Sequence, residues 1–312
     1  MKQSKEKNKK IRDRVVSEIL ELLKGGVNPW NRPWTAGQSL GDHNAYSGRC
    51  YQGINISILA YAKEKNGWQS DQWLTYNQAV KVLKGVIPKG TKSTRIVFVK
   101  TIEFNKKDDD GRVVTDDDGK PVKIYVGYLN EFSIFNIEQT ENVKLPKAEQ
   151  KRIEAAIARE KLMQSDAGVQ WVDSVYTNLD VDVKHTTESK AYYSPGKDMI
   201  HLPNYSMFKK PSGYTATALH ELVHWTGAES RNNRPGIVKF EYFGSRSYAF
   251  EELIAELGSV MLGQKYGISG KAENHASYID GWIKVLESDS QSLFEAGHLA
   301  KQAMEYISDN TA

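Results

Sequence analysis

His220, Glu221 and His224 form an HExxH pattern within the segment Pro211–Gly227. On an α-helix, residues four apart project from one face, so the two imidazoles can bind a single metal ion. Glu221 lies about 100° round the helix from His220, where its carboxylate can accept a proton from water that the ion activates. The pattern therefore predicts a metal centre with its own general base.

The residues around this motif predict a helix that is buried on nearly every side. Ser212 is a candidate N-cap, Gly227 is a candidate C′ residue, and no proline lies between them. Apolar residues fill most of the helical surface, apart from one polar strip that contains the HExxH residues. Two imidazoles and a carboxylate on such a helix need compensating partners, which favours a metal ion over a chance occurrence of the pattern.

Two histidines leave the ion short of a third protein ligand, and the best source is the segment Tyr248–Leu262. On a helix its apolar residues form one stripe, Glu252 and Glu256 share the opposite side, and Glu251 points elsewhere. Such a carboxylate pair can supply one ligand and one acceptor for the second N–H of a ligand histidine. We expect Glu252 to be the ligand and Glu256 the acceptor. The exchange of these roles and a solvated acidic face are the alternatives.

The composition excludes several classes of protein. The 312 residues are 39% hydrophobic and 26% charged, which is typical of a globular protein of about two domains. No apolar run approaches the roughly 18 residues of a membrane span, and no apolar signal core follows the basic N-terminus. The single Cys50 excludes an internal disulfide framework and cysteine-based zinc fingers, and it fits a reducing cytoplasm.

The net charge of +3 conceals a strong asymmetry along the chain. Residues 1–100 hold 18 Lys and Arg against 7 Asp and Glu, a net charge of +11, whereas residues 101–312 hold 24 against 32. A basic first third favours contact with a polyanion. A solvated lysine-rich surface is the alternative.

The basic part also interleaves aromatic with basic residues, as a surface for single-stranded nucleic acid requires. Bases stack on aromatic rings at roughly 1–3 kcal/mol each, while cations follow the phosphate backbone. The alternative is an aromatic-rich core, to which several of the tryptophans must belong. The candidate nucleic-acid-binding residues are Trp30, Arg32, Trp34, Arg49, Tyr51, Trp73, Lys89 and Lys92.

Hydrophobic spacing and turn residues predict the remaining elements. Helices are expected at 8–24, 56–62, 77–83 and 146–163, and strands at 94–100, 123–137, 171–176 and 192–202. Residues 1–8 are expected to form a flexible basic tail and residues 106–121 an exposed hairpin or loop. The residues His275, Tyr278 and Trp282 lie at helical spacings and belong to the core or, alternatively, to the wall of the active-site cleft.

Segments in both parts of the chain resemble one protein family. HELVHWTG followed by AFEELIAELG resembles the zincin-like metallopeptidase domain of ArdC-type antirestriction proteins of conjugative plasmids and phages. PWNRPW, NAYSGRCYQGIN and WLTYNQA resemble the single-stranded-DNA-binding N-terminal domain of the same family. Cys50 and the loop Pro88–Lys92 depart from the family pattern.

The resemblance implies two α+β domains, a single-stranded-DNA-binding domain at 1–144 and a gluzincin-like metallopeptidase domain at 145–312. It implies one divalent ion, preferably Zn²⁺ with Mn²⁺ as an alternative, held by His220, His224 and Glu252. Glu221 would serve as the base in hydrolysis of a peptide bond.

The implied role is protection of incoming single-stranded DNA from host restriction during conjugation, in the bacterial cytoplasm and with transfer alongside the DNA. A host restriction subunit is the implied protein substrate, and no membrane partner is expected. The alternative is a non-catalytic DNA-binding shield whose metal site is structural or dormant. Glu221 favours catalysis, because a structural site needs no general base.

Overall fold

The computed structural model describes residues 2–30, 41–106, 108, 110, 112–116, 119–239, 241–268 and 278–311. Helices and two small β-sheets are distributed along these residues, which confirms the predicted α+β class. None of the described helices combines the length and the apolar character that crossing a bilayer requires.

The first part of the chain forms a four-stranded sheet with two flanking helices. Its strands, in the order β1-β2-β4-β3, are β1 (His43–Asn44), β2 (Gln72–Leu74), β3 (Thr94–Asn105) and β4 (Lys123–Asn136). Its helices are α1 (Lys2–Lys24) and α2 (Ile54–Asn66), with a π-helical segment (Asn77–Val82) after β2 and a 3-10 turn (Ile137–Gln139) after β4. β1 and β2 are parallel, and the other neighbours are antiparallel.

The second part contains the remaining helices and a three-stranded sheet. The helices are α3 (Lys147–Met163), α4 (Asp166–Asn178), α5 (Pro211–Trp225), α6 (Pro235–Val238), α7 (Arg246–Tyr266), α8 (Ile279–Ser288) and α9 (Gln291–Asp309). The strands, in the order β5-β7-β6, are β5 (Asp182–Thr186), β6 (Tyr192–Ser194) and β7 (Met199–Pro203), and a 3-10 turn (Tyr205–Met207) follows β7.

Two sequence-based predictions are wrong about local structure. The expected tail at 1–8 is helical from Lys2, because this Lys-rich segment contains no helix breaker and Glu6 pairs with Lys10 at 2.9 Å. The expected strand at 171–176 lies inside helix α4. Its buried side chains Val172, Val175 and Tyr176 are three and four residues apart, which is the helical period.

One hydrophobic core includes residues from both predicted domains. Val15 and Ile19 of α1 belong to the same buried cluster as Trp282 of α8 and Leu293 and Ala300 of α9. Truncation of the chain after residue 144 would expose the apolar face of α1 to water. The boundary at residue 144 therefore stays a prediction, and the experiments below use the full chain.

A buried ion pair joins the start of α3 to the first sheet. Glu149 is fully buried and accepts hydrogen bonds from His43 Nε2 (2.6 Å), Gln72 Nε2 (2.9 Å) and Arg152 Nη2 (2.7 Å). The Nδ1 atom of His43 lies 2.7 Å from the carbonyl oxygen of Gly41, so both ring nitrogens face acceptors. An imidazole that donates from both nitrogens is positively charged, and this charge compensates the buried carboxylate.

Trp73 lies in a second, smaller cluster with Leu59, Ile96 and Ile134. Its side chain is fully buried, and its indole N–H donates a hydrogen bond to Asp42 Oδ1 at 2.7 Å. Trp73 is therefore a core residue whose polar atom is satisfied inside the fold.

Replacement of this core indole should destabilise the protein. We expect Trp73→Ala to lower the free energy of unfolding by about 3–5 kcal/mol, because a large cavity remains. Tyr76→Ala, two residues from the end of β2 and 51% exposed, is the control and should change that free energy by no more than about 0.5 kcal/mol. Urea denaturation measures both values. A loss for Tyr76→Ala as large as that for Trp73→Ala would contradict this placement.

The Glu149 network should make stability depend on pH in the acid range. Burial raises the pKa of Glu149, but hydrogen bonds from His43, Gln72 and Arg152 outweigh burial and lower the pKa from 4.5 to about 2. Because the folded-state pKa is depressed, this contribution is present above pH 4.5 and is lost as the pH falls towards 2.

We expect Glu149→Gln to lower the free energy of unfolding near neutral pH by on the order of 2–3 kcal/mol and to flatten its decline below pH 5. The exposed Glu154 of the same helix supplies the control variant Glu154→Gln. Denaturation midpoints across this pH range measure the effect. Parallel acid declines for wild type and Glu149→Gln would show that other groups govern the acid range.

Candidate metal centre

Helix α5 carries the HExxH residues through the middle of the core. Pro211 occupies the first helical position, where its missing N–H costs nothing, and Lys210 is the N-cap, so the predicted N-cap Ser212 is wrong. Every residue from Tyr214 to Trp225 is buried. This agrees with the prediction of a helix that is buried on nearly every side.

Gly227 follows the helix, but it does not have the left-handed conformation of the predicted C′ residue. It is absent from the glycines with positive φ, so it is not a left-handed C′ residue. A Cβ atom at this position would lie 2.6 Å from Ile237 Cγ1 and 2.8 Å from Arg234 Nη2. The glycine therefore makes room for Arg234 beneath the end of α5.

Helix α7 begins at a capped end and lies directly against α5. Ser245 is the N-cap, and its hydroxyl accepts a hydrogen bond from the Tyr248 N–H at 3.1 Å. A Cβ atom at Gly258 would lie 2.9 Å from both methyl groups of Val223. The absence of a side chain at Gly258 therefore lets the two helices come close enough to share a polar site.

The two helices bring His220, His224 and Glu252 together in a buried cluster whose potential ligand atoms lie within 4.8 Å of one another. The Nε2 atom of His220 lies 3.3 Å from Glu252 Oε2, and the Nε2 atom of His224 lies 3.5 Å from Glu252 Oε1. The predicted ligands therefore meet in the fold. Their binding of an ion stays a prediction.

These separations match those between neighbouring ligands of a tetrahedral metal ion. Bonds of about 2.0–2.2 Å from zinc to nitrogen and oxygen place neighbouring ligand atoms about 3.4 Å apart. Two imidazole nitrogens and one carboxylate are also a donor set that Zn²⁺ and Mn²⁺ accept. The cluster can hold one divalent ion with one coordination position left open.

The acceptor that orients His224 is Glu251, which corrects the sequence-based assignment to Glu256. His224 directs Nδ1 towards Glu251 Oε1 at 3.3 Å. Arg234 is almost fully buried and donates to Glu251 from Nε (3.1 Å) and from Nη2 (2.7 Å). Arg234 also donates to Thr226 Oγ1 at 2.8 Å. A bidentate arginine thus fixes the carboxylate that in turn fixes the imidazole.

Glu256 lies one helical turn beyond Glu252 and accepts a hydrogen bond from Asn28 Nδ2 at 3.2 Å. The helical wheel placed Glu256 with Glu252 correctly, but it could not show which elements face the two carboxylates. Glu256 faces the N-terminal segment after α1, whereas Glu251 faces Arg234 and the end of α5.

The protonation of the cluster follows from its burial. Burial raises the pKa of the Glu221 carboxyl, although the two histidines act in the opposite direction. Burial lowers the pKa of His224, but the charge of Glu252 and a hydrogen bond to Glu251 outweigh it and raise the pKa to about 10. A bound ion must displace protons from the imidazoles, so ion binding releases protons.

Two tyrosines, Tyr248 and Tyr278, lie beside the cluster. Tyr278 was a sequence-based candidate for the wall of the cleft, whereas Tyr248 was not identified from the sequence. Tyr248 precedes Glu252 by one helical turn, and its hydroxyl lies 3.2 Å from the hydroxyl of Tyr278. Burial raises the pKa of both tyrosines, and the negative charge of Glu252 raises it further. The spacing of four residues between Tyr248 and Glu252 could have identified Tyr248. Trp282 is fully buried in the core, and His275 lies outside the described residues.

The candidate nucleic-acid-binding residues divide into four groups. Trp30 and Trp73 are buried, so the prediction that they stack on bases is wrong; Trp30 donates to Ser57 Oγ at 2.9 Å and packs against Trp282. Tyr51 is half-buried beside the Trp73 cluster. The candidates Arg49, Lys89 and Lys92 are exposed, and Arg32 and Trp34 lie outside the described residues.

Two protein families match the chain in the order expected from the sequence. Residues 9–135 match the N-terminal domain of the anti-restriction factor ArdC, and residues 170–299 match a zincin-like metallopeptidase family. Together, these two matches cover both the basic first part and the helices that carry the cluster.

Related proteins cover nearly the whole chain. Two proteins of Escherichia coli named DNA primase TraC are 33% identical to it over 97% of its length. The chain spans only 27% and 20% of the length of these curated relatives. The protein y4eC of Sinorhizobium fredii is 29% identical over 95% of this chain and 91% of its own length.

Two crystal structures of the antirestriction protein ArdC from plasmid R388 have the same fold. The metal-free form aligns with a TM-score of 0.71 and 28% identity over 96% of this chain and 97% of the other. The Mn(II)-bound form aligns with a TM-score of 0.69 and 27% identity over 96% and 98%. The presence of Mn(II) in that second structure agrees with the expectation that this fold accepts a divalent ion.

The Glu251 contact predicts which carboxylate controls ion affinity. We expect Glu251→Gln to weaken Zn²⁺ binding by about 10–100-fold, because the carboxylate that orients His224 loses its charge. The matched variant Glu256→Gln should remain within a few-fold of wild type, and Glu252→Gln should lose the most affinity. Chelator competition on folded protein measures the affinities. The reverse order for Glu251 and Glu256 would restore the sequence-based assignment.

Proposed function

Because this chain belongs to the ArdC-type antirestriction proteins, we propose that it hydrolyses peptide bonds at its metal centre and binds single-stranded DNA. Together these activities protect incoming DNA from host restriction in the bacterial cytoplasm, and the protein enters the recipient with the DNA. The protein substrate that we propose is a subunit of the host restriction enzyme.

The observation that carries the hydrolytic proposal is the position of Glu221. It follows His220 on α5, is buried beside the cluster and is not one of the three grouped ligands. Burial raises the pKa of its carboxyl, which makes it a stronger base than an exposed glutamate. The two histidines and the backbone of Tyr193 on strand β6 lower the pKa, but burial outweighs them. A purely structural metal site needs no such base.

Each side chain has a distinct part in the proposed reaction. His220, His224 and Glu252 would hold a divalent ion, which would supply Lewis-acid polarisation of the scissile carbonyl and a lower pKa for the attacking water. Glu221 accepts the proton of that water and then donates it to the leaving amine. Tyr278 presents a hydroxyl beside the cluster, where it can donate a hydrogen bond to the oxygen that gains negative charge.

The second candidate function is a DNA-binding shield with a dormant metal site. The low exposure of the four polar groups favours it, since His220, the most exposed of them, is only 8% accessible. A peptide must reach the cluster for hydrolysis, so the two candidates differ in whether the protein cleaves any polypeptide.

Glu221→Gln separates these candidates. The change keeps the size of the side chain and leaves His220, His224 and Glu252 in place, so ion content should equal that of wild type. We expect cleavage of purified restriction subunits to fall by about 10²–10⁴-fold, which is the usual contribution of a positioned base. Mass spectrometry of the digestion products measures cleavage, and elemental analysis measures the ion.

His224→Ala is the control that should lose both the ion and the cleavage. Antirestriction in recipient cells is compared for all three proteins. If wild type cleaves no restriction subunit under conditions where it retains its ion, the hydrolytic proposal is wrong. Full antirestriction in Glu221→Gln would then assign protection to DNA binding alone.

A further inference from the structure

Five exposed cations between residues 49 and 92 form no ion pair within the described residues: Arg49, Lys81, Lys84, Lys89 and Lys92. Lys24, by contrast, pairs with Glu287 at 2.6 Å. The sequence explains the contrast. The 31 residues from Gln72 to Ile102 contain six Lys and Arg and no acidic residue. This surface therefore attracts an anion with little competition from its own chain.

Two exposed tyrosines belong to the chain segments that carry these cations. Tyr46 is 43% and Tyr76 is 51% exposed, and neither has a hydrogen bond or ring contact within the part of the chain that the structure describes. A half-exposed aromatic ring without an internal partner can accept a stacked base on its open face.

An amide pair holds the two tyrosine-bearing segments together. Asn44 Nδ2 donates to Gln78 Oε1 at 2.8 Å, and Gln78 Nε2 donates to Asn44 Oδ1 at 3.1 Å. Tyr46 follows Asn44 by two residues, and Tyr76 precedes Gln78 by two. The amide pair therefore fixes the two ring-bearing segments relative to each other, and Lys81 lies three residues after Gln78 in the π-helical segment.

Lys84 adopts a backbone conformation that favours glycine. Its φ is +57°, and it directly follows Leu83, which ends the π-helical segment. The other described non-glycine residues with positive φ are Asn142, Asp180, Asp198 and Asn233, which are the types that tolerate this region. A lysine here costs stability that a glycine would not cost. Its charge is therefore a candidate for a functional role.

We propose that Tyr46, Arg49, Tyr76, Lys81 and Lys84 form the surface on which single-stranded DNA binds. The tyrosines stack on bases, and the three cations contact phosphates. This inference rests on the proposed function, because it assigns a place to the DNA binding proposed above. The exposed rings of Tyr46 and Tyr76 take the stacking role that the sequence assigned to Trp30 and Trp73, which are buried.

The rival surface is the ring pair Phe98–Phe132 on β3 and β4. These rings are about half exposed, but they pack edge to face at 5.7 Å. Beyond residue 102 this hairpin also carries acidic residues, beginning with Glu103. Its charge is thus less favourable for a polyanion, and it serves as the comparison in the experiment.

The decisive variant is Lys84→Gly, because strain relief and loss of charge act in opposite directions. We expect its melting temperature to equal or exceed that of wild type, while its affinity for a labelled oligothymidine of about 20 nucleotides falls several-fold. The slope of log affinity against log salt should decrease by about 0.7 in magnitude, the value for one phosphate contact on a single strand. Fluorescence anisotropy of the full chain measures both quantities.

Tyr46→Ala and Tyr76→Ala should each weaken binding about tenfold or more, and Tyr76→Phe should retain it because the ring remains. Lys24→Gln and Phe98→Ala are the controls and should bind as wild type does. If Lys84→Gly and both tyrosine variants bind as wild type does while Phe98→Ala binds more weakly, the proposed binding surface is wrong. The proposed function would remain intact. If wild type binds duplex DNA as tightly as the single strand, stacking of bases on the tyrosines is wrong. Failure of wild type to bind the oligonucleotide would overturn the DNA-binding half of the proposed function itself.

Discussion

The cost of burying ionisable side chains governs the structure around the metal centre. Two imidazoles and three carboxylates lie between α5 and α7 with almost no access to water, where each unpaired charge would cost several kcal/mol. The fold meets this cost by direct pairing: Glu252 faces both histidines, and Glu251 faces His224 and Arg234. A bound dication would add the positive charge that this carboxylate-rich cluster favours.

The same constraint explains which small residues the site requires. Gly258 lets α7 approach Val223 of α5, and Gly227 leaves space for the guanidinium of Arg234. A side chain at either position would separate the helices or displace the arginine. Loss of Arg234 would remove the bidentate partner of the buried Glu251, which lies beside the metal ligand His224.

The metal centre also depends on the first part of the chain. Asn28 donates to Glu256, and Trp30 packs edge to face against Trp282 at 5.3 Å. Trp282 lies against Tyr278, whose hydroxyl reaches Tyr248. Trp30, which the sequence suggested for DNA binding, thus supports a helix of the other predicted domain. The basic, aromatic surface that remains accessible lies instead around Tyr46 and Tyr76.

The sequence by itself determined the features that depend on local spacing. HExxH placed His220, Glu221 and His224 together, and the helical period placed Glu252 and Glu256 on one face of α7, because both follow from 3.6 residues per turn. Only the tertiary structure decided that Glu251 orients His224, that Arg234 holds Glu251, and that Trp30 and Trp73 are core residues. These features depend on which distant elements meet, as Arg234 meets α7 and Trp30 meets α8. A tryptophan that stacks on a base and one that fills a core have the same local sequence signal, and burial alone distinguishes them.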